Sequence, residues 1–569
     1  MTLVADELLG YAGAGGLGTA TSFLAVALGR MGHDVELLYV GDPPEEELAE
    51  DWAGLYERGG VAVRLPERTG RRTEPAFFAR MLDAERALAA DPPDVVITQD
   101  LAAPMYTGLR RRQLGLGFEH TLFVVYSHGT RQWITDVARK VRVLPGALAI
   151  SVVERASVEL ADAVVSPSMY LLHWMRGQGW QLPEQAFVVP YLTRSAATGE
   201  PAPVRTTPDS PVERLAFFGR LEERKGIRPF TAGLSSLGAE VLQDVELEFV
   251  GRPTPAWPPE QVSAMLSEEA RTALRDVSFA TDLDQAAALE RIGRPGTLAV
   301  IPSLEDNSPN AVYECLERRI PFIAGNSGGI AELVAQEDRD RVLFEPTPDG
   351  VAGAVRRALA ADVFGPASFA FDMDVAVEAW DELIGFTPAR RPVPEPGDES
   401  EWLVRVEREA TPKERFLPTL RRAQAATGAD IVTCGLALDT GAQHYFLGDP
   451  GGLGLVSNAY GTAALVRRSL LEDGAQHKGA HDPAWPLLAR LVLRGASIVS
   501  VPEALVQTSR RPGDVHRDPV GGLAVLQEFE RHLPQATRSL ARLATGLAAQ
   551  AAEPKHNSRR RLSKLLSRR

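Results

Sequence analysis

Cysteine is nearly absent from this chain of 569 residues, with Cys315 and Cys434 as its two thiols. Two thiols, one in a predicted helix and one in an apolar run, give no framework of bridges, fit a reducing compartment, and make thiolate metal coordination a poor reading. A basic excess is also missing. The formal charge is -14, so no overall positive field would draw in nucleic acid. No run approaches the roughly 20 apolar residues that span a bilayer, and the N-terminus lacks the charged and apolar segments of a secretory signal. A cytoplasmic protein is expected. The basic end, KHNSRRRLSKLLSRR, places Leu562, Leu565 and Leu566 at helical spacing and could touch the inner face of a membrane, against the plainer reading of a solvated tail.

What is present is alternation. Length alone suggests roughly three or four units. TLVA, VELLYVG, VAVRL, DVVITQ and TLFVVYS read as buried strands with helices between them, and AVVSPS and FVVPYL close the unit at 1–192. Continuous apolar strands alternating with helices argue a parallel sheet covered on both faces. A Pro/Ser/Thr-rich linker at 193–211 follows. A second alternation then fills 212–365 through LAFFG, ELEFVG, VSFA, LAVIPS and IPFIAG. A helix within 366–388, a linker at 389–400, a further α/β module at 401–520 and a helical segment with the basic tail at 521–569 complete the chain.

The densest chemistry lies in IPSLEDNSPNAVYECLERRIPFIAGNSGGIAELV, residues 301–334. A strand ends in Pro-Ser, an acid-rich turn follows, and a helix is predicted to open near Pro309. Asp306 and Glu314 would both face one ligand there. Free N–H groups at a helix start favour anions, and a nearby acid orients sugar or ribose hydroxyls. Asn307, Ser308 and Asn310 add polar contacts, although Asn310 could equally be a cap. In FFGRLEERKGI, Arg220 and Lys225 sit in a strand-to-helix loop where their charges would reach a diphosphate, whereas Glu222, Glu223 and Arg224 read as surface residues. His128 ends an apolar strand at the sheet edge where ligands bind in open α/β folds. His33 reads as a helix-terminus cap. Gly13, Gly15 and Gly18 spell a dinucleotide pattern, but the loop after the first strand is too long for that tight turn.

These motifs together resemble the retaining family 4 glycosyltransferases. The stretch from Asp306 to Glu314 resembles their Glu-x7-Glu signature with Asp in first place, and 217–227 resembles their Gly-Arg-Leu-x3-Lys-Gly motif. The resemblance implies a GT-B fold: two Rossmann-like domains facing each other across a cleft, the first on the acceptor side and the second binding the nucleotide sugar. The 366–388 helix would cross back to the first domain. The resemblance also implies donor contacts from Gly15, Gly16, Arg220, Lys225, Asp306, Asn307, Ser308, Pro309, Asn310, Glu314, Gly328 and Gly329, with His128, Arg220, Lys225 and Asp306 nearest the chemistry. The implied reaction is metal-independent, retaining hexosyl transfer from a nucleotide-diphosphate sugar to a carbohydrate, lipid-linked or small-molecule acceptor, in glycan, cell-envelope or glycoconjugate biosynthesis, with no further cofactor. Residues 401–520 resemble the second half of a family 2 GT-A domain whose nucleotide-binding half is not present. Glu407 and Glu409 fall at its metal motif and Asp482 at its catalytic acid, so this partial GT-A-like module reads as a degenerate structural or acceptor-binding appendage. A sugar-nucleotide epimerase and a catalytically silent scaffold are the competing readings.

Overall fold

The computed structural model describes residues 1–11, 15–43, 50–141, 145–203, 210–386, 392–455, 457–472 and 484–509. Gly13, parts of both linkers, Asp482 and the whole of 521–569 with its basic tail lie outside the described residues. Among the described residues no helix is long and apolar enough to cross a membrane.

The first lobe contributes strands β1 (Thr2–Ala5), β2 (Val35–Tyr39), β3 (Val61–Arg64), β4 (Thr73–Glu74), β5 (Val95–Gln99), β6 (Leu122–Tyr126), β7 (Ala163–Ser166) and β8 (Gln185–Val188). All except β4 form one seven-stranded sheet in the order β3-β2-β1-β5-β6-β7-β8, parallel throughout. Its central strands are buried along their whole length, as a sheet covered on both faces requires. The last strand begins earlier than FVVPYL suggests, because the Pro190 segment already leaves the sheet.

The second lobe holds β9 (Arg214–Phe218), β10 (Glu246–Val250), β11 (Asp276–Ala280), β12 (Thr297–Ile301), β13 (Phe322–Gly325) and β14 (Leu343–Phe344), in the order β11-β10-β9-β12-β13-β14 and again parallel. Phe217, Phe230 and Phe249 interlock at its centre, and Phe279 stacks on Phe249 at 4.7 Å. The helix Met373–Ile384 then packs on the first lobe. Its Trp380 meets Tyr126 edge to face at 4.9 Å, and its Asp381 lies 2.8 Å from His33 Nε2. His33 therefore does more than cap: its backbone N–H closes the helix Gly16–Arg30 on Leu28, while its ring ties that helix to the returning one.

The third sheet is mixed. β17 (Ile431–Leu438) pairs antiparallel with β18 (Gln443–His444) and β19 (Ala464–Arg467), and parallel with β20 (Ile498–Thr508); β15 (Trp402–Arg405) and β16 (Ala410–Pro412) extend it. Its last partner comes from the first lobe: β4 adds to β18 with Thr73 opposite Gln443 and Glu74 opposite His444. Apolar packing continues across this seam. Phe78, Tyr106, Ile150 and Val153 of the first lobe share a core with Tyr445 and Leu447, and Leu114 joins that of Phe416 and Leu420. Phe78 stacks on Tyr445 at 5.2 Å.

Candidate active site

Asp306 sits in the turn between β12 and the helix Asn310–Arg318, which starts where the sequence places it, with Pro309 as its N-cap. Two glycines let the backbone crowd around this acid. Gly226 takes φ +79°, and a Cβ on it would overlap the Pro302 carbonyl, so the short turn Glu223–Lys225 lies against the end of β12. Gly328, at φ +58°, leaves no room for a Cβ beside the Asp306 carbonyl, which accepts the Gly329 N–H at 3.0 Å. Close approach of these three loops brings Lys225 Nζ into contact with Asp306 Oδ2. Arg224 Nη1 stands 3.5 Å from the same oxygen and Ser303 Oγ 3.4 Å away.

The electrostatics of this pair follow from burial and proximity. Burial alone would raise the Asp306 carboxyl; the Lys225 ammonium and then the Arg224 guanidinium outweigh it, so the carboxyl is held below its ordinary range. Burial likewise pulls the Lys225 ammonium down, against the attraction of Asp306. Arg224 thus belongs to the site and not to the surface. The sequence signal for it was its place beside Lys225 in a tight turn, which swings neighbouring side chains toward one loop.

The first lobe supplies the facing wall. Gly15 and Gly16 open the helix Gly16–Arg30, with no side chain capping its start. A point one Cβ bond from Gly15 is 3.7 Å from Arg220 Nη2 and 3.0 Å from Glu7 Oε2, so the exposed Arg220 reaches across the cleft to this glycine loop. Asn310 is the first helical residue, and its side-chain amide bonds across the cleft to the Gly16 carbonyl at 3.4 Å. Asn307 commits both polar ends to the first lobe: Nδ2 donates to the His128 carbonyl at 3.1 Å and Oδ1 accepts from Ser168 Oγ. Ser308 Oγ pairs with the Tyr313 hydroxyl at 2.9 Å, which also accepts the Tyr191 N–H at 3.0 Å.

His128 is enclosed by Tyr126 and Tyr191, with ring centroids at 4.3 and 5.4 Å. Burial lowers its pKa to about 3, so the imidazole is neutral. Nδ1 lies 2.9 Å from the Tyr191 hydroxyl, and Nε2 is buried with no hydrogen-bond partner. Its loop is fixed by Asp100, whose carboxylate accepts the backbone N–H groups of His128 and Gly129, both at 3.0 Å.

Glu314 does not touch Asp306. It lies on the next turn of the same helix, where its carboxylate accepts from the Gln285 amide and burial raises its pKa to about 7. It borders an interlobe cavity of about 410 Å³ that Phe23 and Trp52 line from the first lobe and Gln285, Leu289, Glu314 and Arg318 from the second. Glu332 reaches the start of a helix in the opposite lobe: its two carboxylate oxygens accept Met169 N–H at 2.7 Å and Tyr170 N–H at 2.9 Å. Glu305 also contacts the Tyr170 hydroxyl. These interlobe bonds had no local sequence signal. Among the described residues no group of three or more His, Cys, Asp or Glu could hold a metal ion, Glu407 and Glu409 included.

Comparison with known proteins places both lobes. Residues 14–190 match the model of Glycosyltransferase Family 4, and residues 212–361 match that of Glycosyl transferases group 1. No curated protein matches this sequence. Similar solved structures include sucrose-phosphate synthase from Thermosynechococcus elongatus, at 19% identity and TM-score 0.46, covering 67% of this chain and 96% of that one. The catalytic domain of starch synthase IV from Arabidopsis thaliana, bound to ADP and acarbose, gives 13% identity and TM-score 0.46 over 68% and 99% of the two chains. HepE of Anabaena, in complex with UDP and glucose, gives 14% identity and TM-score 0.45 over 68% and 99%. One glycosyltransferase domain in each lobe, in this order and facing across one cleft, makes this part of the chain a GT-B glycosyltransferase.

Proposed function

We propose that the protein is a retaining, metal-independent glycosyltransferase that moves a hexosyl group from a nucleotide-diphosphate sugar to an acceptor hydroxyl. One observation carries this reading: the buried carboxylate of Asp306, gripped by Lys225 and Arg224, lies in a helix-opening turn whose neighbours Asn307 and Asn310 bond to the first-lobe loops of His128 and Gly16. A diphosphate entering there replaces Asp306 as the partner of Lys225. Asp306 is then free to accept a sugar hydroxyl. Arg220, Lys225 and the unpaired N–H groups at the start of the helix Asn310–Arg318 stabilise the charge that develops on the departing diphosphate.

Retention is assigned to a same-face route in which the bond from the anomeric carbon to the phosphate oxygen breaks, the acceptor oxygen bonds to that carbon on the same face, and the departing phosphate oxygen takes the acceptor hydroxyl's proton. This scheme needs cations and precise placement, and no metal ion. In the tautomer whose Nδ1 accepts from Tyr191, His128 Nε2 carries the proton and donates to a sugar hydroxyl. Gly328 and Gly329 act through the Asp306 backbone. Residues 401–520, described as far as 509, are read as a degenerate GT-A-like appendage that braces the acceptor-side lobe, consistent with β4 and Phe78 being held by β18 and Tyr445.

Thermal unfolding in the presence of a panel of nucleotide sugars tests the donor reading, since a ligand at a hundred times its Kd adds about 2.7 kcal/mol. Transfer from the protecting donor should survive a chelator and yield a product of the donor's own anomeric configuration. Inversion, or protection by none of the panel, would overturn the proposal.

A further inference from the structure

Resting on that reading, we infer that the nucleobase of the donor is received between the lobes against Trp52, so that the lobe opposite the diphosphate grip takes part in choosing the base. The diphosphate end of the site is marked by Arg220 meeting the Gly15 loop and by Asn310 reaching Gly16. Glu314 follows four residues along the same helix, about 6 Å further at 1.5 Å per residue, and Arg318 lies one more turn beyond. A donor whose phosphates sit at Asn310 and whose ribose meets Glu314 therefore carries its base into the cavity of about 410 Å³ that begins there.

The lining has the chemistry a base needs. Trp52 and Phe23 come from the first lobe and Leu289 from the second, so apolar surface is offered from both sides and aromatic rings from the first. Trp52 is only partly buried although its helix, Glu50–Arg58, packs on the first lobe through Leu55 and Tyr56. Leaving a large ring partly exposed on a cavity wall gives the base a stacking surface. Gln285 spends its amide N–H on Glu314, which leaves its carbonyl oxygen to accept from a base edge, while Arg318 offers donors on the same wall.

Fluorescence titration of the full chain with UDP, ADP, GDP and inorganic pyrophosphate tests this. The chain has eight tryptophans, so the quenching that wild type shows and Trp52→Phe lacks isolates the signal of residue 52. Trp52→Ala should weaken the preferred nucleoside diphosphate about tenfold, Trp52→Phe should restore most of that affinity, and pyrophosphate should bind both variants as it binds wild type. Equal affinity of Trp52→Ala and wild type for that nucleotide overturns the inference while leaving the donor reading intact. So does an equal loss for pyrophosphate, which has no base to stack. Binding of none of the three nucleotides by wild type overturns the donor reading itself.

Discussion

The first lobe meets two neighbours in different ways. Across the cleft it touches the second lobe through the hydrogen bonds of Asn307 to His128, Asn310 to Gly16, Tyr313 to Tyr191 and Glu332 to the helix that starts at Met169, and through an apolar core common to both lobes in which the Tyr191 and Tyr313 rings lie 5.7 Å apart. Toward the C-terminal module it shares a strand pair and continuous apolar cores, with Phe78 on Tyr445 and Leu114 among Phe416 and Leu420. Polar contacts can exchange for water at little net cost, whereas separating apolar cores exposes their whole surface. At the cleft the named hydrogen bonds can exchange for water while the Tyr191–Tyr313 packing resists parting; at the other seam a strand pair and two apolar cores would have to separate together, which keeps that seam shut. Even the ions at the shut seam are enclosed. Arg111 pairs with Glu503 at 2.5 Å and with Glu85 at 3.3 Å, and burial raises Glu85 to about 7.

The sharpest way to break this contrast is at Lys225. Lys225→Ala should lower sugar transfer on the order of a hundred- to a thousandfold. It also leaves Asp306 buried with Arg224 alone, costing on the order of 3 kcal/mol in thermal unfolding. Adding Asp306→Asn should restore the stability and not the turnover. A single variant with full transfer would remove the cleft from the chemistry.

Tyr445→Ala tests the shut seam, with an expected loss of about 3 kcal/mol and faster hydrogen exchange along the helix Phe78–Ala89 of the first lobe. Unchanged exchange there would mean that the module is not part of that lobe's core.

Glu314 offers a titration. On the proposed donor reading its ionised form would accept ribose hydroxyls, so nucleotide affinity should rise by up to about tenfold between pH 6 and 8, as a carboxyl with a pKa of about 7 loses its proton. Stability runs the other way. The folded-state value is raised from 4.5, so its contribution is fully present below that pH and is lost as pH rises through about 7. Glu314→Gln should flatten both profiles; an unchanged affinity profile would detach Glu314 from the ribose.

The smallest effect is expected at Glu332→Ala, which leaves the Ser168 cap of the helix Met169–Gly177 in place, takes the partner of the Met169 and Tyr170 N–H groups and should cost about 1 kcal/mol. Solution scattering should show a slightly larger radius of gyration as the lobes part. An unchanged radius would show that this contact does not hold the cleft.

Much of the fold was legible because apolar strands buried on both faces leave a strong local signal. The helix from Asn310 was equally plain, marked by Ser308-Pro309 before it. β4 had no such mark: two residues carry no period, and their partner β18 lies in a distant part of the chain. In the site, the residues gathered around Asp306 included Lys225, as expected, and also Arg224, which a tight turn delivers. Asn307 was expected beside the donor; in the structure it bridges the lobes, because an amide with one donor end and one acceptor end matches the His128 carbonyl and the Ser168 hydroxyl that face it.

The order of strands, turns and helices, the glycine-containing loops around Gly15 and Gly226 and the spacing from Asp306 to Glu314 were determined by the sequence alone, because period and turn chemistry act over a few neighbouring residues. Which charge meets which, whether Glu314 shares a pocket with Trp52, and that a late module completes an early lobe were decided only in the tertiary structure. Those outcomes depend on burial and on contacts between residues far apart in the chain, and no local pattern encodes them.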